Sequence, residues 1–278
     1  MVDRLVVLID NSSPSDSLLR EHGFSVWIEV DGTKILFDTG MTDAFSKNAD
    51  YLNIRLDQTE SIVLSHGHYD HSGGLSCAFE RAASALLYVH PDVTKTRFRL
   101  TQAGDVYDIG MPEPGKAVIQ NKLHQCHWVT EPTQLSENVW VTGPIPRKSP
   151  FEDTGGLFYF DRQGKDCDIL QDDLALWITS SQGLIILLGC CHSGVINTID
   201  YIRELSGTTA IHAIIGGAHL VDASEQRIQK TVALLDSTDI RHCALGHCTG
   251  KGAMALIADT LGEHYSPCYV SKEYRIQI

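Results

Sequence analysis

The sequence predicts an α/β fold with helices outside its sheets, and two observations predict it. Three apolar segments, at 184–188, 211–215 and 240–245, read as buried strands; each ends in small residues plus a histidine and gives way to a helical stretch. A further strand at 61–64 runs directly into Ser65-His66-Gly67-His68-Tyr69-Asp70-His71-Ser72-Gly73-Gly74. Ligand-capable side chains gathered at strand ends are what such a fold presents along one rim.

Taken in order, residues 5–9 are a first strand, and 26–30 with 34–37 form a hairpin turning at Asp31-Gly32. That hairpin stops at Asp38-Thr39-Gly40. After the 61–64 strand, 75–85 has helical character and 86–89 returns to strand. Residues 91–138 suit strand and loop meanders, with strands expected at 117–119 and 139–142. Three prolines, Pro144, Pro146 and Pro150, leave no continuous ladder between 143 and 150. The acidic run 166–173 reads as a solvated loop or edge. Strands at 174–179 and 184–188, a helix at 195–205, a strand at 211–215, an amphipathic helix at 224–236, a strand at 240–245 and a last helix at 251–261 complete the chain. No flexible linker or low-complexity segment interrupts it, so residues 1–278 are expected to form a single domain.

Charge and composition narrow the function classes. With 35 acidic against 22 basic residues the formal charge is −13, which disfavours an electrostatic hold on nucleic acid or an anionic membrane. No apolar run reaches the roughly 18 to 20 residues that a bilayer crossing needs, and the N-terminal run closed by Asp10 is too short for an export signal. A cytoplasmic location is therefore expected, with the eight cysteines reduced; there is no CxxC pair to suggest a zinc knuckle or an iron-sulfur cluster. Phosphate-cradling GxxxxGK[ST], cofactor-binding GxGxxG and nucleophile-elbow GxSxG patterns are all missing. The chemistry then falls to a metal centre.

His66-x-His68-x-Asp70-His71 is the sharpest signal. The glycine between the first two histidines marks a turn that can direct both imidazoles inward onto one divalent ion. Asp70 and His71 can reach a second, about 3.5 to 4 Å away. Asp70 and His71 are accordingly the catalytic candidates, Asp70 both binding metal and orienting a water. His192, His219 and His247, at the later strand ends, are the remaining metal candidates. Asp38, ending a buried strand, can either accept the free ring N–H of a ligand histidine or simply cap the turn to Gly40. Cys190 is expected beside the metals. Arg147, and Lys251 at the start of the final helix, are candidates for a substrate phosphate; Asn11 and His22 are pocket candidates. His124 and His127 are expected at the surface or packed.

The metal motif resembles the signature of the metallo-β-lactamase superfamily. Together with Asp10-Asn11, Glu21 to Ser25, Phe37-Asp38-Thr39-Gly40, Gly189-Cys190-Cys191-His192-Ser193-Gly194, Gly216-Gly217-Ala218-His219 and His247-Cys248-Thr249-Gly250, it looks like the branch named for 7,8-dihydropterin-6-methyl-4-(β-D-ribofuranosyl)aminobenzene 5′-phosphate synthase. The resemblance implies a four-layered αββα sandwich carrying one or two metals at the rim between two sheets. It assigns His66, His68, Asp70 and His71 to the first metal motif and His219 to the last ligand, and it implies that Asp38 partners a ligand histidine instead of only capping the turn. The chain departs from the usual pattern in lacking a mid-chain Gly-His-Thr loop, where it has Gly143-Pro144-Ile145-Pro146-Arg147, and His247 is an additional or substitute ligand.

Two divalent ions are expected, zinc first, with manganese or iron as alternatives. The expected activity is metal-dependent hydrolysis of a phosphorylated or cyclic small molecule. The branch implies an alternative, a transferase that joins a dihydropterin to a ribosylaminobenzene phosphate and releases diphosphate. A diiron redox centre, a nuclease, and a metal- or pterin-binding protein without turnover are further alternatives. The oligomeric state is left open by the sequence.

Overall fold

The computed structural model describes residues 3–278. The chain opens with β1 (Arg4–Ile9) and the hairpin β2 (Ser25–Val30) and β3 (Thr33–Phe37). Asp31 and Gly32 both take positive φ, 55° and 74°, as a two-residue turn matched to strand twist requires. There follow α1 (Ala44–Tyr51), β4 (Ser61–Val63), the single turn α2 (Tyr69–Ser72), α3 (Leu75–Arg81) and β5 (Leu86–Val89). The middle contributes β6 (Phe98–Leu100), β7 (Val106–Asp108), α4 (Glu113–Asn121), β8 (Cys126–Trp128), β9 (Thr133–Gln134), β10 (Val139–Val141) and β11 (Leu157–Tyr159). The last part runs β12 (Ala175–Ser180), β13 (Gly183–Leu188), α5 (Val195–Ser206), β14 (Ile211–Gly217), α6 (Glu225–Ser237), β15 (His242–Gly246), α7 (Lys251–Leu261) and β16 (Glu273–Arg275).

Two mixed sheets are stacked, ordered β16-β1-β2-β3-β4-β5-β8 and β15-β14-β13-β12-β10-β9. Side-chain alternation along each strand builds the layers. On the inner faces Leu5, Val7, Ile28 and Phe37 meet Leu176, Ile185, Leu187 and Ile215 in one dry core. The residues between them point outward. Leu8, Trp27 and Leu36 pack under Phe45, Leu75 and Phe79 of α1 and α3, while Trp177, Ile186 and Leu188 pack under Ile199, Leu235 and Ile257 of α5, α6 and α7. The result is the αββα sandwich, with an added three-stranded sheet, β11-β6-β7, at one end. No helix among the described residues is long and apolar enough to cross a membrane.

Two local expectations are corrected. Residues 117–119 lie inside helix α4, not a strand: proline occupies its first turn, where no N–H is needed, and Ile119 is buried on the inward face. The acidic run 166–173 is only partly solvated, because Asp168, Asp172 and Asp173 are buried. Asp168 and Asp172 form ion pairs with the buried Arg97 at 3.3 and 2.9 Å.

Candidate metal centre

The candidate ligands converge where strands of both sheets end. Four turning points there take left-handed backbone conformations on non-glycine residues: Asp38 (φ 57°) after β3, Cys191 (58°) after β13, His219 (42°) after β14 and His247 (48°) after β15. Asp and His tolerate this region better than most side chains, and such residues concentrate at functional sites. Each swings the chain from its strand across the rim. Gly67 is demanded by a close approach, since a Cβ there would lie 2.2 Å from the carbonyl oxygen of Val93.

The donors fall into two principal groups. Asp70, His71, Cys190 and His247 form a buried quartet, and His66, His68 and His192 a buried trio. Within the quartet, His71 Nε2 lies 3.1 Å from His247 Nε2 and 3.2 Å from Cys190 Sγ; Cys190 Sγ lies 3.3 Å from His247 Nε2. Asp70 Oδ2 stands 3.5 Å from His71 Nε2 and 3.3 Å from His247 Nε2. Donors held at roughly 2.0 to 2.1 Å from one ion in a tetrahedron are about 3.3 Å apart, so the quartet has the spacing of four donors around a single metal ion. In the trio, Nε2 of all three histidines is buried with no hydrogen-bond partner. Buried polar nitrogens are rarely left so, and three turned on one point fit a cation. Cys190, expected beside the metals, therefore stands within a donor set. His219 joins Cys190 and His192 in a third grouping that links the two.

The surrounding shell orients these rings. His71 Nδ1 donates to Asp38 Oδ2 at 2.7 Å, which leaves Nε2 facing the quartet. The Ser65 hydroxyl donates to the same carboxylate at 2.8 Å and takes His66 Nδ1 at 2.9 Å, so one buried carboxylate steadies a histidine in each group. His192 Nδ1 donates to the Thr154 carbonyl at 2.8 Å. His247 is held by its backbone N–H on Asp10 Oδ1 at 3.0 Å and by Nδ1 against Asn11 Oδ1 at 3.1 Å.

Burial sets most of the proton affinities. It pushes the pKa values of His66, His68 and His192 well below the usual imidazole value, keeping these rings neutral and able to bind metal. Burial also opposes a charge on His247, but Cys248, Asp70 and Asp10 outweigh it and lift its pKa to about 9. For Asp70, burial favours the neutral acid, yet His71, His247 and His22 hold the carboxyl well below its usual range. Without metal, protonated rings thus stand in for positive charge around Asp70.

Of the other candidates, Asn11 and His22 line the cavity of about 360 Å³ that opens onto Asp70, Cys190, His219 and His247. His22 Nε2 is 3.2 Å from Asp70 Oδ2. Arg147 is turned away from a substrate, because its guanidinium donates to the backbone carbonyls of His192 at 2.8 Å and Ile169 at 2.7 Å. Lys251 is exposed at the start of α7 and does not line the cavity. His127 stacks on Tyr88 at 4.8 Å, and neither it nor His124 reaches the site.

Sequence reasoning missed several contributors. Cys248 and Phe158 line the cavity, and the Phe158 ring lies 5.4 Å from His68, 5.3 Å from His192 and 6.0 Å from His219. Asp172 accepts from the backbone N–H of Gly67 at 2.9 Å and Asp173 from that of Ser193 at 2.8 Å, so the acidic run braces both histidine loops from behind. Cys248 was signalled in the sequence by its place in the His247-Cys248-Thr249-Gly250 segment, which gave it no role of its own.

Comparison with known proteins gives concordant likenesses. Residues 19–120 match the family described as the metallo-beta-lactamase superfamily. The chain is 29% identical over 262 residues, 91% of its length and 89% of the relative's, to the 7,8-dihydropterin-6-methyl-4-(beta-D-ribofuranosyl)-aminobenzene-5'-phosphate synthase of Methanocaldococcus jannaschii. It is 31% identical over 258 residues, 91% of its length and 93% of the relative's, to the uncharacterized protein MJ0448 of the same organism. Among solved structures it is similar to Tm1679, described as a metal-dependent hydrolase of the beta-lactamase superfamily, with a TM-score of 0.83, 27% identity, and 99% and 100% of the two chains covered.

Proposed function

Since the chain belongs to the metallo-beta-lactamase superfamily, we propose that it is a metal-dependent hydrolase acting on a phosphorylated or cyclic small molecule. The observation that carries this reading is the buried quartet with tetrahedral spacing beside a trio of unpartnered histidine nitrogens. His66, His68 and His192 would hold one divalent ion, and Asp70, His71, His247 and Cys190 the other. Bound there, two such ions lower the pKa of a water towards neutrality and polarise the oxygen it attacks. Imidazole and thiolate donors suit zinc first, with manganese or iron as alternatives.

The chain's own groups do the rest. Asp38 fixes the tautomer of His71. Asp70 faces both the cage and the cavity, where it can orient the attacking water. His22, half exposed and 3.2 Å from Asp70, is placed to carry a proton between that carboxylate and solvent. The neighbouring Phe158 walls the histidines from water on one side. Eight unpaired cysteines fit a reducing, cytoplasmic setting. A second reading, transfer with release of diphosphate and a pterin-containing substrate, is favoured by the likeness to the M. jannaschii synthase over 91% of the chain.

Elemental mass spectrometry of the purified protein should find about two ions per chain, consistent with a dinuclear site. His68→Ala and Asp70→Ala should each lose metal, and with it about a hundredfold or more of the hydrolysis of bis(4-nitrophenyl) phosphate. Metal near zero after reconstitution of a folded chain would sink the hydrolase reading. Turnover of a diphosphate substrate only in the presence of an aromatic amine acceptor would shift the assignment to the transferase.

A further inference from the structure

We propose that Arg99 anchors a second anionic group of the substrate, so that the site selects small molecules carrying one anion for the metal centre and another beyond a flat or apolar middle. This rests on the hydrolase reading of the same site. Among the described residues, Arg99 is the only Lys or Arg lining the metal-facing cavity, and also the only one lining the adjoining cavity of about 460 Å³, which shares Tyr69, Arg99 and Ile109 with it. It stands at the junction of the two.

The register of the small sheet fixes what lies on either side. Arg99 of β6 is directly opposite Phe158 of β11 and directly opposite Tyr107 of β7. Residues opposed across strands share a face, so Phe158, Arg99 and Tyr107 form a row that leads outward from His68, His192 and His219. Successive members of the row are one strand spacing apart, about 4.8 Å. A substrate seated at the histidines therefore passes over an aromatic ring before meeting the guanidinium.

Arg99 is held in place without being committed. Its ionic partner is Asp222, at 2.6 Å, and the two side chains are 46% and 49% exposed. An exposed pair of this kind contributes little and opens readily. Asp222 follows three residues after His219, so the pair closes the mouth between the small sheet and a histidine-bearing loop. An incoming phosphate or carboxylate can take the place of Asp222 with the planar, two-pronged geometry that guanidinium offers.

The test uses the metal-loaded full chain and two ligands that hydrolysis cannot consume, phenylphosphonate and 4-carboxyphenylphosphonate, measured by titration calorimetry. The wild type should bind the carboxylated ligand tighter by roughly tenfold, the size of one charge-assisted hydrogen bond. Arg99→Ala should abolish that preference while leaving phenylphosphonate affinity in place, Arg99→Lys should keep part of it, and Asp222→Asn should enlarge it. Equal binding of both ligands, in the wild type and Arg99→Ala alike, overturns the role of Arg99 and leaves the hydrolase reading standing. Binding of neither ligand to the wild type overturns the phosphate-directed reading and this inference with it.

Discussion

His71 uses its two ring nitrogens for different ends, and the division is imposed by Asp38. With Nδ1 donating to a fully buried carboxylate at 2.7 Å, the ring can offer only Nε2 to the quartet, and its position is fixed before any ion arrives. The same carboxylate reaches His66 through the Ser65 hydroxyl. Asp38→Ala should therefore weaken metal affinity by about 10- to 100-fold, read by competition with a chelator, and Asp38→Asn should weaken it less. Unchanged affinity in a folded Asp38→Ala chain would show that the histidines need no outer partner. Its place at the end of an apolar strand made Asp38 a candidate, and the family resemblance, not the local sequence, favoured a partner for a ligand histidine over a simple turn cap. Local sequence did not suffice for Cys190 either: whether a thiol stands beside a cage or inside it depends on ångström distances to His71 and His247, residues 119 and 57 positions away.

At the scale of elements, two helices begin in different ways. Helix α6 is capped locally, Ser224 Oγ accepting from the backbone N–H of Arg227 at 3.2 Å. Helix α5 has Gly194 at that position, with no side chain to give, and its free N–H groups are met by Glu152 from a distant loop, at 2.9 Å to Ile196 and 2.8 Å to Asn197. A carboxylate there also opposes the positive end of the helix. Glu152→Ala should cost about 1 to 2 kcal/mol in a urea titration and loosen His192, two residues before the cap; a stability change within error would remove Glu152 from the account. Strands ending in histidine were legible because pattern and ligand are contiguous in the chain. Helix α4 was misread because Ala117-Val118-Ile119 is as apolar and β-branched as a strand, and its prolines read as breakers instead of openers. The bracing by Asp172 and Asp173 was illegible for another reason: an acidic run looks solvated until the buried Arg97 is seen against it.

Across the whole molecule, the histidines make stability depend on pH. His22, His66, His68, His90, His192, His212 and His242 all have lowered pKa values, in each case first through burial, whereas His71 and His247 are raised. A group lowered on folding binds its proton more readily in the unfolded chain, so its contribution is complete above its unfolded value and is lost as pH falls towards the folded one; raised groups do the reverse. Seven lowered against two raised means that, among the histidines, the unfolded chain holds more protons between about pH 6.5 and 5, a balance that the raised carboxyls of Asp10, Glu152, Asp168 and Asp173 offset only in part. The metal-free protein should therefore melt at lower temperature at pH 5 than at pH 7 in the presence of a chelator. A flat or rising profile would mean that the buried rings are already charged. Metal loading should steepen the dependence, since ligand histidines must be neutral.

The two donor groups are also completed at different points along the chain. Every member of the trio has been added by residue 192, but the quartet waits for residue 247, and both draw on the run from 66 to 71. During synthesis on the ribosome, then, one ion's seat is furnished some fifty-five residues before the other's. A nascent chain arrested between these points would offer a single complete berth beside one that lacks only its fourth donor, and occupancy of the first would tether the two halves of the protein while the last strand and helix were still to be made.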